Sequence, residues 1–398
     1  MTDSEMLADR RSFLAGAAGL AAATALASPA ALADLLRPKR NLKLLILGGT
    51  GFLGPHIVRY AIERGHEMTL FNRGRSGPDK FPDLEWLKGD RYGDLKSLEE
   101  QVAAGRTWDA VIDTFTYVPK TVTDAMDVLL PAMKQYVVLS TMSVYAAGRA
   151  PGADETAQLE TMTDKEAEAI KTHRELGAFY GAMKARCEVA AEGRFPGRVT
   201  NIRPGLIVGP GDWSGRYTYW PVRASEGGRM IAPGTGDDYV QYIDARDLGP
   251  FVIRAIEREL FGAYNAITPP GERTCRDMVE SAVRACGDGT TEAVWMDADF
   301  LQAQGVRAWA DMPVWVPNAA PGYEGQGLAS VEKAMAAGLT FRSIDDTSLA
   351  TLEDYRERVS RVRTEQGDEV ADQAAARLRG GLSRERESEA FAAWDARG

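Results

Sequence analysis

Residues 41–74 read NLKLLILGGTGFLGPHIVRYAIERGHEMTLFNRG, and this stretch decides the fold. The unbroken apolar run Leu42 to Leu47 suits a strand covered on both faces, as in a parallel sheet. Gly48, Gly51 and Gly54 follow at GxxGxxG spacing, and Ile57, Val58, Ala61 and Ile62 then repeat with helical period. Met68 to Phe71 supply a second strand. Strand, glycine turn, helix and strand in this order form a dinucleotide site. Glycine allows the turn and a close backbone approach to a pyrophosphate, which then faces the helix N-terminus. In such units an acid after the second strand grips the ribose 2′-hydroxyl. Here that place holds Asn72, followed by Arg73 and Arg75, so a 2′-phosphate and hence NADP(H) is favoured over NAD.

Working outward, LKGDRYGDL puts Asp90 after a short strand, placed to accept from an adenine amino group. WDAVIDTFTY adds a buried strand ending at Asp113 and Thr114. The strand QYVVLSTMSVYA ends in hydroxyls at Ser140, Thr141 and Ser143. In AFYGAMKARCEVAAE, a helix by pattern, Tyr180 and Lys184 stand at i and i+4 and share a face. A tyrosine of ordinary pKa near 10 is a poor base at neutral pH, and a neighbouring ammonium would tune it toward acid/base work.

These pieces, with IRPGLIVGPGD and YIDARDLG, resemble in sequence and order an extended short-chain dehydrogenase/reductase of the NAD-dependent epimerase/dehydratase group. The resemblance covers roughly residues 41–350 and is strongest to an atypical bacterial branch related to the chloroplast stem-loop RNA-binding proteins. It implies a Rossmann-type α/β fold, a doubly wound parallel sheet over 41–265. Residues 205–235 contribute to a smaller C-terminal α/β substrate lobe at 266–363. It also implies Tyr180 as acid/base, Lys184 as its tuning and ribose-binding partner, and Thr141 as the hydroxyl that orients the substrate. The cofactor would touch Gly48, Thr50, Gly51, Phe52, Leu53, Gly54, Asn72, Arg73, Asp90, Arg91, Thr114, Lys184 and Pro204.

Three departures bear on the substrate. The segment 153–176, acidic and helix-prone, lengthens the gap between Thr141 and Tyr180 and is a candidate cover for the site. Met142 and Ser143 stand where dehydratases carry an Asp–Glu pair. Asp238 stands where nucleotide-sugar enzymes often place an arginine, and a carboxylate there would repel a pyrophosphate. The stretch GPGDWSGRYTYWPVRASEGGRM offers Tyr217, Tyr219 and Trp220 as contacts for a ring-shaped substrate, or else as packing between lobes.

The formal net charge of −10 and the lack of a basic run speak against a nucleic-acid partner. The three histidines are scattered, and Cys187, Cys275 and Cys286 lack metal-ligand spacing, so no metal is expected; Cys275 and Cys286 remain a candidate disulfide. Residues 1–33 pair Arg10 and Arg11 with a mild apolar run and ALA at 31–33, resembling a twin-arginine signal. The run is too short for a stable membrane span. Passage through the twin-arginine translocase would deliver a folded, cofactor-loaded protein to the periplasm or beyond. There a cofactor kept through a redox-neutral cycle has the advantage. The residues 364–398 read as a charged helical tail without chemistry.

The reading is therefore an NAD(P)-dependent oxidoreductase or epimerase acting on a hydroxyl-bearing carbon of a sugar-like or small hydroxylated substrate, with a homodimer as a candidate assembly. Its alternatives are a non-catalytic binding protein on the same fold, or a cytoplasmic NADPH-dependent ketone or enone reductase of isoflavone-reductase type.

Overall fold

The computed structural model describes residues 40–397 apart from 76, 78, 319 and 321. The expected twin-arginine segment lies outside the described residues, and residues 42–398 form one compact unit. In chain order the Rossmann half comprises β1 (Lys43–Leu47), α1 (Gly54–Glu63), β2 (Glu67–Asn72), β3 (Glu85–Lys88), α2 (Lys96–Ala103), β4 (Ala110–Asp113), α3 (Pro119–Leu129) and β5 (Tyr136–Leu139). The short α4 (Asp164–Ala169), then α5 (Tyr180–Arg194), β6 (Val199–Pro204) and β7 (Leu206–Val208) follow. Next come α6 (Tyr219–Ser225), β8 (Arg229–Pro233), β9 (Tyr242–Asp244), α7 (Ala245–Glu257), β10 (Gly262–Ala266), α8 (Cys275–Cys286) and β11 (Glu292–Met296). The chain closes with α9 (Ala298–Ala303), α10 (Glu332–Ala336), α11 (Ile344–Gln366), α12 (Asp368–Arg379) and α13 (Arg384–Asp395).

Seven strands form one sheet in the order β10-β6-β5-β4-β1-β2-β3, every pairing parallel. The expected doubly wound Rossmann-type α/β fold is what the chain adopts. The alternation along β1 shows why its sequence is apolar throughout. Leu44 and Ile46 join the core under α1 and α7, with Ile57, Val58, Leu248 and Val252. Leu45 and Leu47 join the opposite core, with Val122, Met126 and Cys187 from α3 and α5. Successive side chains on a strand point to opposite faces, and here both faces are covered. The order reverses between β1 and β4, and that switch point lies at the strands' carboxyl ends, where such sheets open a crevice.

A second core gathers around the parallel pair β8–β11 and holds Tyr217, Tyr219, Trp220, Met278, Trp315, Leu352, Leu382 and Ala390. The tail belongs to it. Glu387 on α13 is buried and receives Arg223 Nε at 3.0 and 2.8 Å and the Ile231 amide at 3.2 Å. A buried charge held by an arginine fork and a backbone N–H fixes one register for the tail. Gly215 packs so closely on the Arg377–Gly380 backbone that a Cβ would meet Leu378 O at 2.7 Å. The candidate Cys275–Cys286 disulfide is corrected: the two residues begin and end α8, about 16 Å apart at 1.5 Å rise per residue. All three cysteines are free. Bridging needs Cα atoms within about 7 Å.

Candidate active site

The glycine turn is braced from three sides. Gly48 has φ +122°, and a Cβ there would collide with Thr114 Oγ1. Thr114 itself donates to Leu47 O at 2.8 Å, so strand β4 closes directly on the turn. Asn72 does not wait for a ribose: its Nδ2 donates to Gly48 O at 2.7 Å and its Oδ1 accepts from Gly74 N at 2.8 Å. Lys80 Nζ donates to Thr50 O at 2.9 Å. Beyond the turn, α1 has no side-chain cap at Leu53; Pro55 lacks an N–H and His56 N donates to Leu53 O at 3.0 Å, which leaves the Leu53 and Gly54 amides for a ligand. Gly51 faces open space, with no atom within 4 Å of an added Cβ. An uncapped helix start beside a backbone with room above it fits a dinucleotide pyrophosphate. Gly48, Thr50, Gly51, Phe52, Leu53 and Gly54 are the residues that would hold it.

The neighbouring loops divide. Asp90 accepts from Tyr92 N at 3.0 Å, which shapes the turn after β3. Arg91, expected on the cofactor, is corrected: its guanidinium is buried and donates to Asp113 at 2.8 Å and Thr121 O at 2.7 Å. Tyr136 completes this internal group through Asp113 at 2.5 Å, and a buried arginine needs that compensation. Arg73 is exposed at the end of β2, free to meet a 2′-phosphate. Pro204 is buried at the end of β6.

Thr141 precedes a short 3-10 turn, Met142–Val144, and caps it by accepting from Ser143 N at 3.2 Å. Tyr180 opens α5. The long sequence gap between them closes because Gly181 lies flat on Ser143, where any Cβ would strike the Ser143 carbonyl. Burial pushes the Tyr180 phenol above its usual pKa, an effect opposed first by Thr141 and then by the Arg216 guanidinium.

Lys184 departs from the expected tuning role. Its Nζ donates to Thr116 Oγ1 at 2.6 Å and Leu139 O at 2.5 Å, and lies 5.1 Å from the Tyr117 ring. Burial pulls its pKa down to about 8. The cation that acts on Tyr180 is Arg216, a residue the motif did not single out. Tyr117 contacts both sides, with its ring 6.5 Å from that of Tyr180.

The segment 153–176 reaches this site through His173. Its ring stacks on Tyr92 at 6.1 Å and meets Phe115 and Tyr117 edge-on or tilted at 5.3 and 5.9 Å. Tyr92 Oη lies 2.9 Å from His173 Nδ1 and accepts from the His173 amide at 2.8 Å. Behind this wall a cavity of about 530 Å³ lies between α4, the start of α3 and the Arg91–Gly93 turn.

Tyr217, Tyr219 and Trp220, offered as substrate contacts, are corrected. All three are fully buried: Trp220 donates to Pro313 O at 2.9 Å and Tyr217 meets Ser348 Oγ at 2.9 Å. They pack the lobe, in one core with Leu352 of α11 and Ala390 of α13. Asp238 likewise has structural partners, accepting from Trp315 Nε1 at 2.6 Å and Asn318 N at 2.8 Å. Sequence reasoning missed Arg216, Tyr117 and His173. The one available signal was a cation inside an aromatic run, at Arg216.

The pattern of the NAD dependent epimerase/dehydratase family matches residues 44–266. Among curated proteins, the bovine (Bos taurus) epimerase family protein SDR39U1 is 24% identical over 62% of this chain and 81% of its own length. The Arabidopsis thaliana chloroplast stem-loop binding protein of 41 kDa b is 26% identical over 54% of this chain and 56% of its length. The 2-alkyl-3-oxoalkanoate reductase of Stenotrophomonas maltophilia is 29% identical over 53% and 64%. Among solved structures, Bordetella bronchiseptica WbmH in complex with NAD+ aligns at TM-score 0.56 and 16% identity, covering 80% of this chain and 99% of that one. Human SDR39U1 isoform 2 with NADPH aligns at TM-score 0.51 and 18% identity, covering 78% and 99%. With its glycine turn, its sheet order and more than half its length accounted for, the chain belongs to the NAD-dependent epimerase/dehydratase family.

Proposed function

We propose that this protein is an NAD(P)-dependent oxidoreductase that reduces a keto group on a small substrate, with Tyr180 as the proton donor. The observation that carries this reading is the packing of Gly181 on Ser143, which seats Tyr180 on the Thr141 turn at the carboxyl end of β5, in a chain that also holds an uncapped, glycine-lined helix start. The dinucleotide, when bound, supplies the hydride. Thr141 and Tyr180 hold the substrate oxygen between their hydroxyls, and Tyr180 gives its proton to that oxygen as the carbonyl carbon gains the hydride. The phenolate is then reprotonated from solvent. A phenol whose pKa is raised by burial is protonated at neutral pH, which suits an acid better than a base. The similarity to a 2-alkyl-3-oxoalkanoate reductase supports the same direction.

Arg73 supports a preference for NADPH, since no carboxylate stands at the end of β2 and Asn72 is engaged in the turn. A second reading, redox-neutral epimerisation with a retained cofactor, is favoured by the Arg10–Arg11 segment, because an exported enzyme has little means to recycle a free dinucleotide. One preparation separates the two. Protein purified without added nucleotide is denatured and the supernatant assayed for NAD(P) and NAD(P)H. Near one dinucleotide per chain supports the epimerase reading. An empty protein that oxidises NADPH with a 3-oxo acid supports the reductase, provided Tyr180→Phe loses that activity and keeps NADP binding.

A further inference from the structure

Arg216 is placed with more care than an incidental loop arginine. It lies on the segment 209–216, which follows β7, the strand paired with β9. Five contacts fix that segment. His56 Nε2 lies 2.9 Å from Pro210 O, tying it to α1. Gly211 rests on Phe52 of the glycine turn, where a Cβ would stand 3.3 Å from the ring, and its amide donates to Asp354 on α11 at 3.0 Å. Arg358 donates to Asp212 O at 2.6 Å, and Gly215 sits on the tail backbone.

Within this frame the side chains form a short chain of hydrogen bonds. The buried Asp212 carboxylate accepts from Ser214 N at 2.8 Å and from Ser214 Oγ at 3.0 Å. Ser214 Oγ in turn accepts from Arg216 Nε at 3.1 Å. One edge of the guanidinium is thus held. Its two terminal nitrogens have no partner among the described residues, although the side chain is half-buried, and its charge favours the Tyr180 phenolate. A half-buried guanidinium fork with free donors is suited to a planar, bidentate acceptor.

We propose that Arg216 anchors a carboxylate of the substrate next to Tyr180, so that the site takes hydroxy or oxo acids whose acid group lies within a few carbons of the reacting carbon. The inference rests on Tyr180 marking the reacting carbon, as in the functional reading above. A carboxylate fits better than a phosphate or pyrophosphate. The charged groups packed with this loop are two carboxylates, Asp212 and Asp354, and one further arginine, Arg358, which already pairs with Asp354. A doubly charged group would call for further cations.

The test uses the full chain loaded with NADP+. Straight-chain carboxylates from acetate to octanoate, and the matching amides, are titrated by calorimetry against wild type, Arg216→Gln and Arg216→Lys. The expected result is at least about tenfold tighter binding of the best acid than of its amide. Arg216→Gln should abolish that preference and Arg216→Lys should restore part of it, with NADP+ affinity and melting temperature unchanged. Equal binding of acid and amide by wild type, no acid binding at 10 mM or so, or a preference that survives in Arg216→Gln would overturn the proposal. Acid binding without turnover of any oxo acid would instead leave the anchor standing and defeat the reductase reading.

Discussion

The two halves of the molecule treat their distinctive residues in opposite ways. In the Rossmann half, glycines and hydroxyls singled out by motif sit at the carboxyl ends of strands, where Gly51 faces open space and Gly181 seats Tyr180 on the Thr141–Ser143 turn. In the C-terminal half, the most distinctive residues, Tyr217, Tyr219 and Trp220, are fully buried. Strand ends of a parallel sheet must open a crevice at the switch point, so a motif tied to them is functional by position. An aromatic cluster has no such tie. Which of its faces is covered depends on residues far along the chain, and here α11 and α13 cover it.

The strongest test of this contrast is Tyr180→Phe. If Tyr180 is the proton donor proposed above, the change is expected to lower kcat by about a thousandfold, within the usual 10²–10⁴ range, with melting temperature and NADP(H) affinity held. A loss below tenfold in single-turnover assays would erase the functional status of the Rossmann half. In the other half the largest effect should be on stability. Glu387→Ala leaves Arg223 buried and unpaired, and a loss of about 3–5 kcal/mol in urea unfolding is expected. A change under about 1 kcal/mol would mean that the tail does not hold the lobe.

Lys184 gives a smaller, pH-dependent effect. Its folded pKa, about 8, lies below its ordinary 10.5, so between those values the unfolded chain holds more protons than the folded one. The stability of wild type relative to Lys184→Met should therefore climb as pH rises from about 8 to 10.5, by on the order of 3 kcal/mol at most. A flat difference across that window would mean Lys184 is solvated. The smallest effect belongs to Trp213, which is 67% exposed. Trp213→Ala should move stability by no more than about 0.5 kcal/mol, while Trp220→Ala, one face of the same stretch away, should cost about 3–5 kcal/mol.

The fold was legible because β1 carries it: two buried faces, a glycine turn and a helical period within thirty residues are local features that sequence displays. The Thr141–Tyr180 pair was legible for the same reason, each residue being fixed to the end of an element. Lys184 was read correctly as helical and misread in its partners, since Thr116 and Leu139 O come from two other strands' ends. Arg91 was drawn inside by Asp113, an acid whose need for a buried cation no spacing rule reveals. Arg216 emerged only when the loop was seen pinned to Phe52, His56 and the tail.

That pinning also orders events in time. The loop bearing Arg216 is seated on residues 377–380, and its lobe is locked by Glu387. During synthesis the glycine turn and the Tyr180 helix can fold while these residues are still unmade. The seat of Arg216 is therefore built by residues more than 160 positions further along the chain, and the glycine turn is not.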